Sequence, residues 1–155
     1  MKVKDIMTSP VQYCSPDNNL AEAAAKLWDS DCGALPVVDS DGRVIGMITD
    51  RDICMSAATK NRPPSQVSVW ETSSGRLVAC SPSDHLHDAL AKMAHERLRR
   101  LPVVNGDGFL VGILSMNDLI LRAEEAVGKK VPDLSYADVM KTLKAISTHR
   151  LLAAA

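Results

Sequence analysis

The sequence is poor in the features that mark several protein classes. Only 3% of its 155 residues are aromatic, which argues against the stacking platforms of single-strand nucleic-acid binders. The formal net charge is -1 at pH 7, so no general attraction to nucleic acid or to an anionic membrane is expected. No run approaches the ~20 apolar residues of a membrane span, and the opening "MKVKDIMTSP" lacks the apolar stretch of a signal peptide. These absences predict a cytoplasmic protein without nucleic-acid or membrane partners.

The sequence also lacks the motifs of common catalytic and metal sites. Its four cysteines form no CxxC pair, which favours reduced thiols over a metal cage or disulfides. It contains no glycine-rich dinucleotide loop or phosphate-binding loop and no serine–histidine–acid set. His85 and His87 form an H-x-H pair, which falls short of the three or four ligands that a metal site needs. We therefore expect neither enzyme activity nor a bound metal.

The chain is an internal repeat of a unit of about 50 residues. The segments "CSPDNNLAEAAAKL" and "LPVVDSDGRVIG" recur 66 positions later as "CSPSDHLHDALAKM" and "LPVVNGDGFLVG". From Cys14 to Cys54 the alignment needs no gap, and 15 of its 41 positions are identical. We predict a first repeat over 1–57, a linker over 58–66, a second repeat over 67–126 and a C-terminal tail with a helix over 127–155.

Each copy has the pattern of a β-α-β-β-α unit. Apolar side chains recur at i, i+3, i+4, i+7 and i+8 from Leu20 to Trp28 and again from Leu86 to Ala94, which predicts helices with one face packed against a core. Asp-Gly pairs between β-rich runs predict hairpins. The predicted fold class is mixed α/β (α+β), with two repeats related by pseudo-twofold symmetry and three-stranded sheets packed on helices.

The motif "GMITDRD" at 46–52 recurs as "GILSMND" at 112–118. Thr49 with Asp52, and Ser115 with Asp118, have the spacing of a capping box, in which a hydroxyl and a carboxylate close the start of a helix. The same geometry suits a nucleotide, because a helix N-terminus attracts phosphate and an aspartate can accept hydrogen bonds from ribose hydroxyls. The spacing alone leaves both interpretations open.

The duplicated pattern resembles a tandem pair of CBS (cystathionine β-synthase) domains, also called a Bateman module. The resemblance rests on "VKDIMTSPV", "SPDNNLAEAAAKL", "GALPVVDSDGRVIGMITDRDI" and their second-copy partners, and it covers about residues 1–125. The second copy departs from the "DIM" opening and reads "VWETSSGRLVAC". The resemblance implies a regulatory module that pairs into a homodimer and binds AMP, ADP or ATP, or in some members S-adenosylmethionine or NADH.

The resemblance further implies two clefts between the copies. Each cleft takes its hydroxyl and aspartate from one copy and its strand residues from the other. Cleft A would consist of Thr49, Arg51, Asp52, Leu77, Val78, Arg99, Arg100, Leu101 and Pro102. Cleft B would consist of Ser115, Asp118, Pro10, Val11, Gly33, Ala34, Leu35 and Pro36.

The two clefts differ in charge. The segment "RLRRLP" brings Arg97, Arg99 and Arg100 toward cleft A, and Arg51 lies within its motif, whereas the matching "DCGALP" of cleft B has no cation. Arg97 also fits a solvated helix end, where cations are favourable. Guanidinium groups suit phosphates. We therefore predict that cleft A holds the phosphorylated nucleotide and that cleft B is empty, weak or occupied by a less charged ligand.

The tail after Gly128 lies outside the repeat. Ser135 and Asp138 form a candidate capping box, and an apolar stripe from Tyr136 to Ile146 predicts a helix. This helix would dock on its own module or reach a second subunit, and both interpretations remain open. The overall prediction is a sensor that passes adenine-nucleotide occupancy to an unidentified regulated protein. The alternative is a ligand-free dimerisation protein with vestigial clefts.

Overall fold

The computed structural model describes residues 1–73, 75–128 and 131–148, so part of the predicted tail lies outside the described residues. The first half contains α1 (Leu20–Asp29), β1 (Ala34–Val38), β2 (Val44–Thr49) and α2 (Asp50–Thr59). A 3-10 turn at Pro64–Gln66 follows. The second half contains α3 (Val69–Thr72), α4 (Leu86–Glu96), β3 (Arg100–Val104), β4 (Leu110–Ser115) and α5 (Met116–Arg122), and α6 (Tyr136–Ser147) comes last. The predicted domain boundaries stay predictions.

The β-rich runs form two antiparallel hairpins, as the Asp-Gly pairs predict. β1 pairs with β2, and β3 pairs with β4. In the first turn the Asp39 carboxylate accepts two backbone N–H bonds at 2.9 Å, and Gly42 has a φ of +85°. Glycine favours this φ because it has no Cβ. Asn105 and Gly108 repeat the arrangement in the second half, so the same local chemistry makes both turns.

Each sheet has two strands among the described residues, rather than the predicted three. The extended piece before α1 contributes one residue: Cys14 donates its N–H to the Pro36 carbonyl at 2.9 Å and accepts from the Val38 N–H at 2.8 Å. The next bonds on either side would need N–H groups from Pro16 and Pro36, which proline lacks. Cys80 makes the equivalent single parallel bridge in the second half. Prolines therefore limit the third strand to one residue pair.

Each half receives core residues from the opening segment of the other half. Val3 is fully buried in the core of the second half, and Val69 is fully buried in the core of the first. Val3 donates its N–H to the Asp84 carbonyl at 3.0 Å, and Val69 donates to the Asn18 carbonyl at 2.8 Å. The same shift of 66 residues relates the two pairs. The halves are thus joined through their cores as well as through the chain.

The apolar faces of α1 and α4 pack inward as predicted, with one exception. Leu20 and Leu86 are fully buried at the two helix starts, but Trp28 is 87% exposed. At 100° per residue, Trp28 lies about 80° around the helix axis from Leu20. It also stands in the last turn of α1, beyond the edge of the core. Its repeat equivalent is the small and half-buried Ala94.

The C-terminal helix docks on its own chain. α6 begins with the predicted capping box of Ser135 and Asp138 and lies along α4. Leu134 and Val139 are buried in the core of the second half. In the structure the tail helix therefore docks on its own module, which is the first of the two interpretations. Within the described ranges, no helix combines the length and apolar character needed to cross a membrane.

Candidate functional site

The two copies of the seven-residue motif lie at equivalent strand-to-helix junctions. At α5, the Ser115 hydroxyl and backbone N–H donate to the Asp118 carboxylate at 2.6 and 2.7 Å, and the Asp118 N–H donates to the hydroxyl at 3.3 Å. At α2, Thr49 and Asp52 make the same three bonds at 2.7, 2.9 and 3.1 Å. Both motifs are therefore capping boxes in the structure.

The opening segment of the chain crosses β4 beside the second junction. Thr8 exchanges two backbone hydrogen bonds with Ile113 at 2.9 and 3.0 Å, and its hydroxyl donates to Asp118 at 3.1 Å. A Cβ on Gly112 would lie 3.0 Å from the Thr8 carbonyl oxygen and 2.7 Å from the Met7 sulfur. The motif glycine therefore permits this close chain crossing.

A cavity of about 290 Å³ opens between this junction and the start of β1. Its lining includes seven of the eight residues predicted for cleft B, namely Ser115, Asp118, Pro10, Val11, Gly33, Ala34 and Leu35. The eighth, Pro36, is buried, and its carbonyl accepts the bond from Cys14. The other lining residues are Thr8, Gln12, Ser30, Asp31, Cys32, Arg100, Ile113 and Asn117. Thr8 belongs to the opening motif, but no local pattern reveals that this segment crosses to the other half.

Arg100 lines this cavity, although the sequence prediction assigned it to cleft A. It lies opposite Ser115 in the β3–β4 ladder. One of its guanidinium nitrogens is 3.2 Å from the point where a Cβ on Gly33 would stand, so the missing side chain of Gly33 leaves room for it. Arg100 therefore supplies this cavity with a cation, which the segment "DCGALP" does not. The comparison of "RLRRLP" with "DCGALP" considered only one strand per cleft, and the cation comes from the neighbouring strand.

The residues predicted for cleft A lie around the equivalent junction of the first half. Thr49, Asp52 and Val78 are half-buried, Leu77, Arg51 and Arg99 are exposed, and Leu101 and Pro102 are buried in β3. Arg97 ends α4 in the left-handed conformation, with φ +56°, and is exposed. Ser74, the repeat equivalent of Thr8, lies outside the described residues. The composition of cleft A therefore stays a prediction.

Of the two histidines singled out in the sequence, His87 lies near α6, whereas His85 precedes α4 and its backbone bridges to Lys2. Among the described residues, no three His, Cys, Asp or Glu side chains come together as a metal site. His87 instead lies 3.7 Å from the Asp138 carboxylate. Hydrogen bonds from the Ser135 side chain and backbone hold the pKa of Asp138 below its ordinary value, and the charge of His87 acts in the same direction.

The fold and the junctions define a class of protein: a tandem α+β repeat with a capped hydroxyl–aspartate pair at each of two inter-repeat junctions. The family model described as "CBS domain" matches residues 3–58 and 70–125. The chain therefore belongs to the CBS domain family and carries two copies of the domain, as the sequence resemblance predicts.

Three relatives place the chain within the family. It is 37% identical over 139 residues to the CBS domain-containing protein YhcV of Bacillus subtilis, covering 88% of this chain and 97% of that one. The crystal structure of the CBS domain pair of protein MJ0100, in complex with 5'-methylthioadenosine and S-adenosyl-L-methionine, has a TM-score of 0.72 at 25% identity, covering 78% and 94% of the two chains. CBSX2 in complex with AMP has a TM-score of 0.67 at 25% identity, covering 77% and 93%.

Proposed function

We propose that the chain is a regulatory module that binds an adenosine ligand in the cavity at Ser115 and Asp118. One observation carries the proposal: a hydroxyl–carboxylate pair at a helix start and a guanidinium group, Arg100, line the same cavity. The cavity volume of about 290 Å³ is just below the range of roughly 300–1,000 Å³ typical of small-molecule sites. That size suits a single mononucleotide, and two related CBS pairs hold adenosine compounds.

Each group has a chemical task in this proposal. Asp118 accepts three hydrogen bonds from Ser115 and Thr8, and a carboxylate has about four acceptor positions. A ribose hydroxyl would take the remaining position or replace the Thr8 hydroxyl. Arg100 would hold a phosphate group through two parallel N–H···O bonds. The residues at the start of β1, Gly33 and Ala34, would face the adenine.

The position of Arg100 changes which of the two clefts we expect to bind a nucleotide first. Because the cation lines cleft B, we place the first AMP, ADP or ATP there rather than in cleft A. Cleft A stays the second proposed site, with Thr49 and Asp52 toward the ribose and with Arg51 and Arg99 toward phosphate. S-adenosylmethionine, which carries no phosphate, would make less use of Arg100.

In this proposal the module has no catalytic activity of its own and acts on a partner protein. A ligand can only signal if it binds two arrangements of the module with different affinity. The cleft B cavity is lined by residues of both halves, including Ala34 and Asp118. A bound ligand would therefore favour one relative placement of the halves, which a partner protein could detect.

The alternative function is ligand-free interaction, and one observation favours it. The capping boxes at Thr49–Asp52 and Ser115–Asp118 are complete without any ligand. Helix capping alone therefore accounts for the hydroxyl and aspartate of both motifs. This alternative does not account for the cavity or for the arginine on its wall.

Calorimetric titration with AMP, ADP, ATP and S-adenosylmethionine tests the proposal, with three matched variants. Asp118→Ala removes the carboxylate of cleft B, and Asp52→Ala removes that of cleft A. Asp138→Ala is the control, because it removes an equivalent capping box at α6, away from both clefts. Each substitution should cost roughly 1 kcal/mol of stability through capping alone, so a stability loss common to all three does not report on binding.

We expect saturable binding by the wild type that weakens strongly in Asp118→Ala and persists in Asp138→Ala. Binding lost only in Asp52→Ala would move the first site to cleft A. Equal affinities in all three variants, or no binding of any of the four compounds, would contradict the proposal and favour the interaction protein.

A further inference from the structure

A second cavity lies between α4 and α6, away from both clefts. Its volume of about 350 Å³ falls within the range of roughly 300–1,000 Å³ typical of small-molecule sites. Its lining residues are His87, Leu90, Ala91, Ala94, Asp138, Lys141, Thr142 and Ala145. α6 begins at Tyr136, beyond the segments 3–58 and 70–125 that match the CBS domain. One wall of this cavity therefore comes from a helix that the CBS repeats do not include.

Thr142 places a buried hydroxyl group on the α6 wall of this cavity. The residue is only 4% exposed. A threonine within a helix often donates its hydroxyl to the carbonyl four residues earlier, as Thr59 and Thr148 do at 2.7 and 2.9 Å. Among the residues that the structure describes, the Thr142 hydroxyl makes neither this bond nor another one. Leaving a buried polar group unsatisfied is costly, so this hydroxyl indicates a polar ligand in the cavity.

The α6 wall also carries a negative and a positive group side by side. Asp138 and Lys141 are three positions apart, and such residues are neighbours on a helix surface, with about 5–6 Å between their Cβ atoms. Both bonds from Ser135 go to the Oδ2 atom of Asp138, at 3.0 and 2.6 Å, which leaves Oδ1 for another donor. Lys141 is exposed and has no ion-pair partner within the described ranges. The wall thus offers a carboxylate oxygen next to an unpaired ammonium group.

The α4 wall is apolar apart from His87. The Nε2 atom of His87 lies 3.7 Å from Oδ2 of Asp138, which is too far for a direct hydrogen bond. Ala91 remains exposed although α6 lies along α4, so the two helices do not close on each other here. At the position of α1 equivalent to His87 stands Ala21. The polar groups of this cavity therefore belong to the second half alone.

We propose that the cavity between α4 and α6 binds a free α-amino acid with an aliphatic side chain. The ammonium group of the ligand donates to the Asp138 carboxylate, and its carboxylate accepts from Lys141 and from the Thr142 hydroxyl. Its side chain packs on Leu90 and Ala91. A simple anion would be repelled by Asp138 and a simple amine by Lys141, whereas a zwitterion pairs with both charges. This site is separate from the nucleotide site and does not depend on it.

Calorimetric titration of the full chain with L-leucine tests the proposal, with two analogues that each lack one charged group. Isocaproate has no ammonium group, and isoamylamine has no carboxylate. We expect saturable binding of L-leucine and at least about tenfold weaker binding of each analogue, because hydrogen bonds to charged groups are the strong ones. The absence of L-leucine binding, or an analogue that binds equally well, would overturn the proposal.

Two lysines of α6 supply a matched pair of variants. Both are exposed, but Lys141 lines the cavity and Lys144 does not. Lys141→Gln should weaken L-leucine binding by about tenfold, and Lys144→Gln should leave it unchanged. Equal affinities in the two variants would mean that L-leucine binds elsewhere on the chain, and the proposal would fail.

Thr142→Val separates a binding role from a structural one, because it removes the hydroxyl and nearly keeps the side-chain shape. Since this hydroxyl has no partner to lose, the melting temperature without ligand should stay the same or rise, while L-leucine binding should weaken. A lower melting temperature with unchanged affinity would show a purely structural role and contradict the proposal. Saturating L-leucine should also slow hydrogen–deuterium exchange in α6 of the wild type and not in α1. Unchanged exchange in α6 would rule out this cavity as the site.

Discussion

The two halves of the molecule agree in their cores and differ on their outer surfaces. Leu35 and Leu101, and likewise Val37 and Val103, are buried at equivalent positions of β1 and β3. On the surface, Trp28 of α1 is 87% exposed, whereas its repeat equivalent, Ala94 of α4, lies beside α6. A buried position is constrained by close packing on every side, whereas a surface position is free to change after a duplication. We therefore expect any functional difference between the halves to come from their surfaces rather than from their cores.

The largest expected effect tests whether the two cores form one cooperative unit. Leu20→Ala and Leu86→Ala delete equivalent, fully buried side chains, and each should lower the free energy of unfolding by about 2–5 kcal/mol. Because Val3 and Val69 are exchanged between the cores, either variant should still unfold in one transition. Urea denaturation followed by circular dichroism measures this, and two separate transitions in either variant would show that the halves are independent.

The sequence predicts those parts of the fold that are set by neighbouring residues. The Asp-Gly turns, the apolar face of α1 and the capping boxes depend on residues within one or two turns of chain, and the repeat doubles each signal. The pairing of cleft B residues comes from the family resemblance. Ser115 and Gly33 line one cavity, and the role of these residues in binding stays a prediction.

The sequence could not predict the features that depend on contacts between the halves. The burial of Val3 in the opposite core, the crossing of Thr8 over β4 and the place of Arg100 all arise from packing between segments far apart in the chain. The two-stranded sheets are different, because the prolines that interrupt the third strand are visible in the sequence. Their effect becomes clear only once the parallel register of Cys14 with Val37 is known.

A somewhat smaller effect on stability tests whether the motif glycines, Gly46 and Gly112, have the same structural role in both halves. A Cβ on Gly112 would meet the Met7 sulfur and the Thr8 carbonyl oxygen, so Gly112→Ala should cost about 1–3 kcal/mol. If Gly46 is packed as closely as Gly112, Gly46→Ala should lower the free energy of unfolding by the same amount. Gly106→Ala is the control, because a Cβ there meets nothing within 4 Å. Thermal unfolding compares the three, and a neutral Gly112→Ala would contradict the close crossing.

The next effect concerns α6, which the first half lacks. Asp138→Ala removes the carboxylate that caps α6 and should cost about 1 kcal/mol at neutral pH. Hydrogen–deuterium exchange should quicken in α6 and remain unchanged in α1. Equal quickening in both helices would mean that α6 is not a separable addition to the second half.

This capping contribution should also depend on pH in one direction. The bonds from Ser135 lower the pKa of Asp138, so the native state binds its proton more weakly than the unfolded state does. The stabilisation is complete above the ordinary carboxyl pKa and is lost as the pH falls through the lowered value. The difference in stability between the wild type and Asp138→Ala should therefore shrink in acid.

The smallest expected difference is between the two equivalent cysteines. Burial raises the pKa of the Cys80 thiol to about 11 and also raises that of Cys14, where the charge of Lys26 partly offsets the effect. At pH 8 a thiol with a pKa near 11 is ionised in about one molecule in a thousand, and neither residue is accessible. Both should therefore react with a thiol reagent only when the chain opens, whereas the exposed Cys54 should react at once.

Since the cores share Val3 and Val69, the two buried cysteines should react at the same rate. Peptide mass spectrometry of a labelled Cys54→Ser variant measures the two rates. Faster labelling of Cys14 would show that the first half opens on its own, and the agreement between the cores would then not extend to their stability.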